Sequence, residues 1–203
     1  PPPPAAAVLD PAVALIVRWE VSGRANYERR LSGPICPGGA SGPTIGIGYD
    51  LGHQTAAEIR RVWHWHPAVD RLASGSRQTG PERCNAWRAA HRDIRISWDD
   101  ALRVFTSDSL PKYRGMAVRA LPGLDRQTPG HIGGLSSTGY RRGWSMEGER
   151  AREKRVIKTD CVPADNADCS AAQVIAMCRI WAGKPGGKGQ CNRSHDEARV
   201  IRT

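Results

Sequence analysis

The chain has 203 residues, enough for one domain of ordinary size with its own core, or one domain carrying a tail; we read one domain. A hydrophobic fraction of 39% that includes seven Trp, set against 25% charged residues, excludes disorder throughout. The formal net charge of +10 favours a polyanion such as nucleic acid, an acidic membrane surface or a bacterial wall polymer, and charge alone does not choose among them.

Pro1 to Ala7 is a low-complexity stretch, so residues 1–8 are expected to be a linker or tail, with the folded domain over 9–203. Leu9, Val13, Ile16, Val17 and Glu20 then fall on one stripe of a helix from about residue 10 to 22, with Gly23 as its stop. Pro11 and Arg18 bound its apolar run, which is far short of the ~18–20 residues of a membrane span. Glu20 extends the apolar face, an unusual place for an acid unless it is paired, lines a cleft, or is kept protonated by desolvation.

Residues 25–50 are rich in Gly and Pro, with Ile45 and Ile47 alternating with glycines, and are expected to form a small antiparallel β-region. Later helices open in capping language, a Ser or Thr followed three residues on by Glu, Asp or Gln. Thr55 with Glu58, Ser97 with Asp100, Ser170 with Gln173 and Ser194 with Glu197 predict helices near 56–65, 98–106, 171–182 and 195–201. Further helical patterns cover 81–92, the stretch from Pro111 to Ala120, 129–142 and 146–158. The fold class is therefore α+β, mostly helical, with a small antiparallel β-region after the first helix. A cleft between sheet and helices would hold Glu20 and Asp50 near its floor.

The segment Pro43-Thr44-Ile45-Gly46-Ile47-Gly48-Tyr49-Asp50-Leu51-Gly52-His53 carries the chemistry. Hydrolysis of a glycosidic bond needs a proton donor and, for inversion, a second carboxylate about 6.5–9.5 Å away to position water. Glu20 on an apolar face suits the acid, Asp50 in a wetter turn suits the base, and the Thr44 hydroxyl can hold water or orient Asp50. Gly46 and Gly48 would let a sugar lie close to the backbone. On spacing alone the same pattern also suits a plain hairpin and a solvated Glu20 paired with Arg18 or Arg24.

Thr44-Ile45-Gly46-Ile47-Gly48, preceded by the acid in Arg18-Trp19-Glu20-Val21, resembles the active-site region of phage-type lysozymes. The fuller run from Pro37 to His53 is similar to the pesticin-like muramidase branch of that superfamily. The similarity continues through Leu110 to Arg114, Ala120 to Leu124 and Met177 to Trp181. It implies a lysozyme-like fold and cleavage of the β-1,4 bond between N-acetylmuramic acid and N-acetylglucosamine in peptidoglycan. Glu20, Asp50 and Thr44 would be catalytic, and Gly46, Gly48, Tyr49 and His53 would bind substrate. It also implies no cofactor, a monomer acting on the cell wall outside the cytoplasm, and room for an immunity protein or carrier domain as partner. The chain departs from the branch at Gly133 to Gly143, where glycines, serines and a threonine replace an apolar helix, and at Cys36, where Trp is usual. Interior glycines each cost a helix ~1 kcal/mol relative to Ala. The alternative is a lysozyme-like module that binds wall glycan with its catalysis impaired.

Six cysteines allow fifteen connectivities. Cys161 and Cys169 flank a Pro/Ala/Asp/Asn loop, which makes a local bridge there the favoured pair. No CxxC pair is present, and His64-Trp65-His66 alone is a weak metal signal. Arg141-Arg142 and residues 150–155, with Glu147, Glu149 and Glu153 interleaved, read as a solvated basic face or as a surface that approaches anionic wall polymers. The tryptophans are expected mostly in the core, with one or two free to stack on sugars, and His53 is expected either to line the cleft or to be a hydrogen-bonded structural residue. Lys184 to Gly189 lacks the ending of a phosphate loop, and no helix-turn-helix, finger or RNA-motif signature is present, so no nucleic acid partner is expected.

Overall fold

The computed structural model describes residues 10–203, so the expected linker over 1–8 and the Leu9 position of the first stripe lie outside the described residues. The chain divides into two compact units, one made of the residues up to Trp19 with Leu110–Thr203, the other of Glu20–Ser109. The architecture is mostly helical with one small antiparallel sheet, as expected.

Helix α1 (Pro11–Val21) opens on Asp10, whose carboxylate accepts from the Ala12 amide at 2.8 Å. Val13, Ile16 and Val17 are buried as the stripe requires. The helix stops where the backbone turns to positive φ at Ser22 and Gly23, and Asn26 Nδ2 donates to the freed Val21 carbonyl at 2.9 Å.

In the Glu20–Ser109 unit, residues 24–30 form helix α2 (Arg24–Arg30), which corrects the expected β-region. Strand content starts only at β1 (Thr44–Ile45) and β2 (Tyr49–Asp50), with a single bridge from Ile35 to Thr44. The correction has a tertiary cause: Tyr27 is wholly buried, and its hydroxyl donates to the Ile96 carbonyl at 3.0 Å, a contact 69 residues away that anchors a helical turn. After β2 come α3 (Ala56–Val62), α4 (Val69–Ala73), α5 (Pro81–Ala90) and α6 (Trp98–Val104), which runs into one π-helical stretch over Phe105–Ser109. Thr55 and Ser97 cap α3 and α6 through the Glu58 and Asp100 amides, as their spacing predicted. Ile45, Ile47, Leu51, Ile59, Trp63, Leu72 and Ile96 fill this unit's core. Cys36 is bonded to Cys84 on α5.

The other unit continues with α7 (Leu110–Ala120), α8 (Pro129–Arg142), α9 (Arg152–Val156), α10 (Ala167–Ala176) and α11 (Gly187–Ile201). Leu121, Leu124, Leu135, Ile157, Val174, Met177 and Ile201 form its core. The glycines of α8 are explained by packing. A Cβ on Gly134 would fall on Ile201 Cγ1 and lie 2.9 Å from the Glu197 carbonyl, so α11 approaches α8 at a distance only glycine allows. Two expected caps are corrected here. Asn166 caps α10 through the Cys169 amide at 2.8 Å, leaving Ser170 inside the helix, and α11 begins seven residues before Ser194. A Ser-x-x-Glu spacing puts both side chains on one helical face as readily as it forms a cap. On α11 that face is the buried one against α8. Cys161 and Cys169 are bridged, the pairing their loop favoured.

Candidate functional site

Of the residues predicted from sequence, Thr44, Asp50 and His53 are brought together around the two-stranded turn. In the ladder Thr44 lies directly opposite Asp50, and Ile45 opposite Tyr49. Asp50 is held by the backbone: Gly42 N–H donates to both carboxylate oxygens at 3.1 Å, and Gly52 N–H donates to Oδ1 at 2.9 Å. These bonds make Asp50 the cap of the 3-10 turn Leu51–His53. They require Gly42 and Gly52 to nearly touch. A Cβ on Gly42 would stand 2.5 Å from the Gly52 Cα, so any side chain there would push apart the two loops that grip the carboxylate. His53 Nε2 lies 3.8 Å from Asp50 Oδ2 on an exposed side chain, which puts the imidazole beside the carboxylate. Thr44 is buried; its hydroxyl donates to the Gly42 carbonyl at 3.2 Å and keeps its lone pairs for a further donor. Thr44, Gly42 and Asp50 thus form one hydrogen-bonded group, with His53 beside it.

Two expectations need correction. Glu20, in the last turn of α1, is exposed and does not extend the buried stripe, which Val17 and Val21 complete. Tyr49 points inward, 6% exposed, with its ring edge-on to Trp63 at 5.7 Å, and burial holds its phenol far above the ordinary range. It belongs to the core rather than to a substrate surface. Gly46 and Gly48 have φ of 58° and 73°, which the strand reversal itself demands, so their presence is accounted for by the turn.

Two grooves lie on the surface of the same unit. Trp65 and Trp98, both half-buried, line a groove of about 520 Å³ with Arg24, Asp99 and Asp100, and Arg103 lies over the Trp65 ring at 4.9 Å. A second groove, of about 570 Å³, is lined by five arginines.

In the other unit lies a buried ionic cluster. Glu197, fully buried, accepts from Arg141 Nη2 at 2.8 Å, Arg193 Nε at 3.2 Å, Ser137 Oγ at 2.9 Å and Thr138 Oγ1 at 3.2 Å. Arg141 also donates to Ser194 Oγ at 3.0 Å and to the Gln190 carbonyl at 2.9 Å. Burial pushes the Glu197 carboxyl upward, and the two guanidiniums and the Ser137 hydroxyl oppose it. The run from Gly133 to Gly143 therefore presents Ser137, Thr138 and Arg141 on a polar helix face that satisfies one buried acid. Arg141 is not on a solvated face, and neither are Glu153, which pairs with Arg179 at 2.5 Å, or Lys154, whose ammonium donates to the Arg142 carbonyl at 3.3 Å. A lone Arg-Arg pair gives no sequence signal for burial, and Glu197 is hidden in what looks like a cap.

Among the described residues no group of three or more His, Cys, Asp or Glu stands close enough to hold a metal ion, and no helix is long and apolar enough to cross a membrane. No protein-family model matches the chain, and the search of curated proteins returned no match.

Proposed function

We propose that the chain hydrolyses peptidoglycan as a muramidase, cutting the β-1,4 bond between N-acetylmuramic acid and N-acetylglucosamine. The observation that carries the reading is the placement of Thr44 opposite Asp50 in a rigid turn, within the Thr-Ile-Gly-Ile-Gly run that resembles phage-type lysozymes. In this reading Glu20 donates the proton to the leaving oxygen, Asp50 is the second carboxylate, and Thr44 uses its free lone pairs to orient the attacking water, giving inversion. The fixed Asp50 fits the role, since a carboxylate that must aim a water loses rate if it swings. His53 stands where a sugar hydroxyl or the Asp50 carboxylate is within its reach. The groove of Trp65 and Trp98 supports a glycan substrate, because indoles and carboxylates lining a groove are the groups sugars stack on and hydrogen-bond to. The net charge of +10 suits an anionic wall, and the two disulfides suit a site of action outside the cytoplasm.

One observation favours the second reading, a module that holds wall glycan without cutting it. Both Asp50 oxygens already accept backbone amides, which a purely structural cap would also do. The experiment is digestion of purified peptidoglycan by the wild-type chain and by Glu20→Gln, with reducing-sugar release and mass spectrometry of the fragments. Muramidase action predicts muramic-acid reducing ends from the wild type and none from the variant. Fragments cut only at peptide or amide bonds would reject the proposal, and retention on peptidoglycan without any release would establish the binding module.

A further inference from the structure

The groove of five arginines has no part in the chemistry above. Arg29 and Arg30 come from α2, Arg88 from α5, and Arg92 and Arg95 from the segment that follows α5; all five side chains are exposed. Among the described residues none of the five is paired with a carboxylate. Glu28, the one acid in the groove, is already bonded to Arg24 at 2.7 Å. Five like charges around about 570 Å³ repel one another, and the groove holds a single carboxylate against them.

The groove is also rigid. Next to the lining residues Ile35 and Asn85, Cys36 is bonded to Cys84, and the lining Ser32 accepts from the Ile96 amide at 2.7 Å through its carbonyl. Arg95 is fixed by donating to the Arg92 and Ile94 carbonyls at 2.6 and 2.9 Å, its guanidinium lying against Gly33. At least this guanidinium is held in place before a ligand arrives, and guanidinium forks match the paired oxygens of phosphate better than those of any neutral group.

We infer that this groove binds a polyol-phosphate chain, a polymer of phosphodiesters joined by hydroxylated linkers. Its volume exceeds that of one phosphate and accommodates a run of them. No aromatic side chain lines it, so it offers bases no platform. The Trp65–Trp98 groove shares Glu28, Ser32 and Arg95 with it, but there Asp99 and Asp100 would repel any polyanion continuing along the surface. Phosphates are thus confined to the arginine end. The inference does not depend on hydrolysis.

The test is fluorescence anisotropy of the intact chain with a labelled synthetic glycerol-phosphate oligomer, and in parallel with an oligothymidylate carrying the same number of phosphates. Binding should fall as salt rises. Arg88→Glu with Arg92→Glu should weaken it by about tenfold or more, whereas Lys184→Glu with Lys188→Glu, an equal change of net charge on exposed residues elsewhere, should change it by less than about threefold. Circular dichroism confirms that both variants fold. Absence of binding by the wild type, equal loss in the two variants, or oligothymidylate bound as tightly as the polyol phosphate would each overturn the inference.

Discussion

Gly134→Ala should destabilise the protein, although the same change in an isolated helix would stabilise it by about 1 kcal/mol. The added methyl would fall on Ile201 Cγ1 and sit 2.9 Å from the Glu197 carbonyl and 3.1 Å from the Ile201 amide, so α11 must move away from α8. Overpacking of this kind costs about 1–3 kcal/mol. Moving α11 also stretches the bonds from Ser137 and Thr138 to the buried Glu197, each worth about 1.5–3 kcal/mol when the acceptor is charged. After the propensity gain is subtracted, a net loss of about 1–3 kcal/mol remains, or a fall of about 3–10 °C in Tm for a chain of this size. Gly115→Ala on α7 is the matched control. Its methyl would meet only the flexible tip of Arg119 at 3.3 Å, and a gain of about 0.5–1 kcal/mol is expected. Thermal and urea denaturation of both variants reads the two signs directly. If Gly134→Ala melts at or above the wild-type temperature, the close approach of α8 and α11 is not what fixes that glycine.

Three further outcomes are expected. Asp50→Ala should cost about 1–3 kcal/mol because the Gly42 and Gly52 amides lose their acceptor, whereas Asp50→Asn keeps one oxygen and should fold nearly normally while losing muramidase activity; urea melts and reducing-sugar release separate the two effects. His131 is buried, with Nδ1 3.1 Å from Gln127 Oε1 and Nε2 2.8 Å from Ser170 Oγ, and desolvation holds its pKa below the ordinary 6.5. The unfolded chain then binds the proton first, so this residue's contribution to stability is full above pH 6.5 and is lost as pH falls through its lowered folded value. His131→Gln should flatten Tm against pH in that window, and an unchanged slope would place the titration elsewhere. Replacing Cys36 and Cys84 by Ser should destabilise more than replacing Cys161 and Cys169, about 4 against about 2.5 kcal/mol by loop entropy, since the bridges span 48 and 8 residues. Equal losses in denaturant melts would contradict that account.

The sequence by itself determined what depends on neighbours along the chain. The stripe of Val13, Ile16 and Val17, the caps at Thr55 and Ser97, the reversal around Gly46 and Gly48, and the bridge across the short loop at Cys161 are all local, and spacing records them. The Thr44–Asp50 register was not legible there, since the sequence placed Asp50 in a turn and the structure puts it in β2 opposite Thr44. Only the tertiary structure decided which side of each element meets another. That choice turned Tyr49 into the core and Glu20 out of it, made a helix of residues 24–30 by anchoring Tyr27, and gathered Arg141, Arg193 and Glu197 from positions up to 56 residues apart. It also brought arginines from α2 and α5 to one groove. Burial and charge pairing depend on contacts that chain spacing does not encode, so a polar helix face and an apparent capping pair gave no sign of a buried acid until α8 and α11 came together.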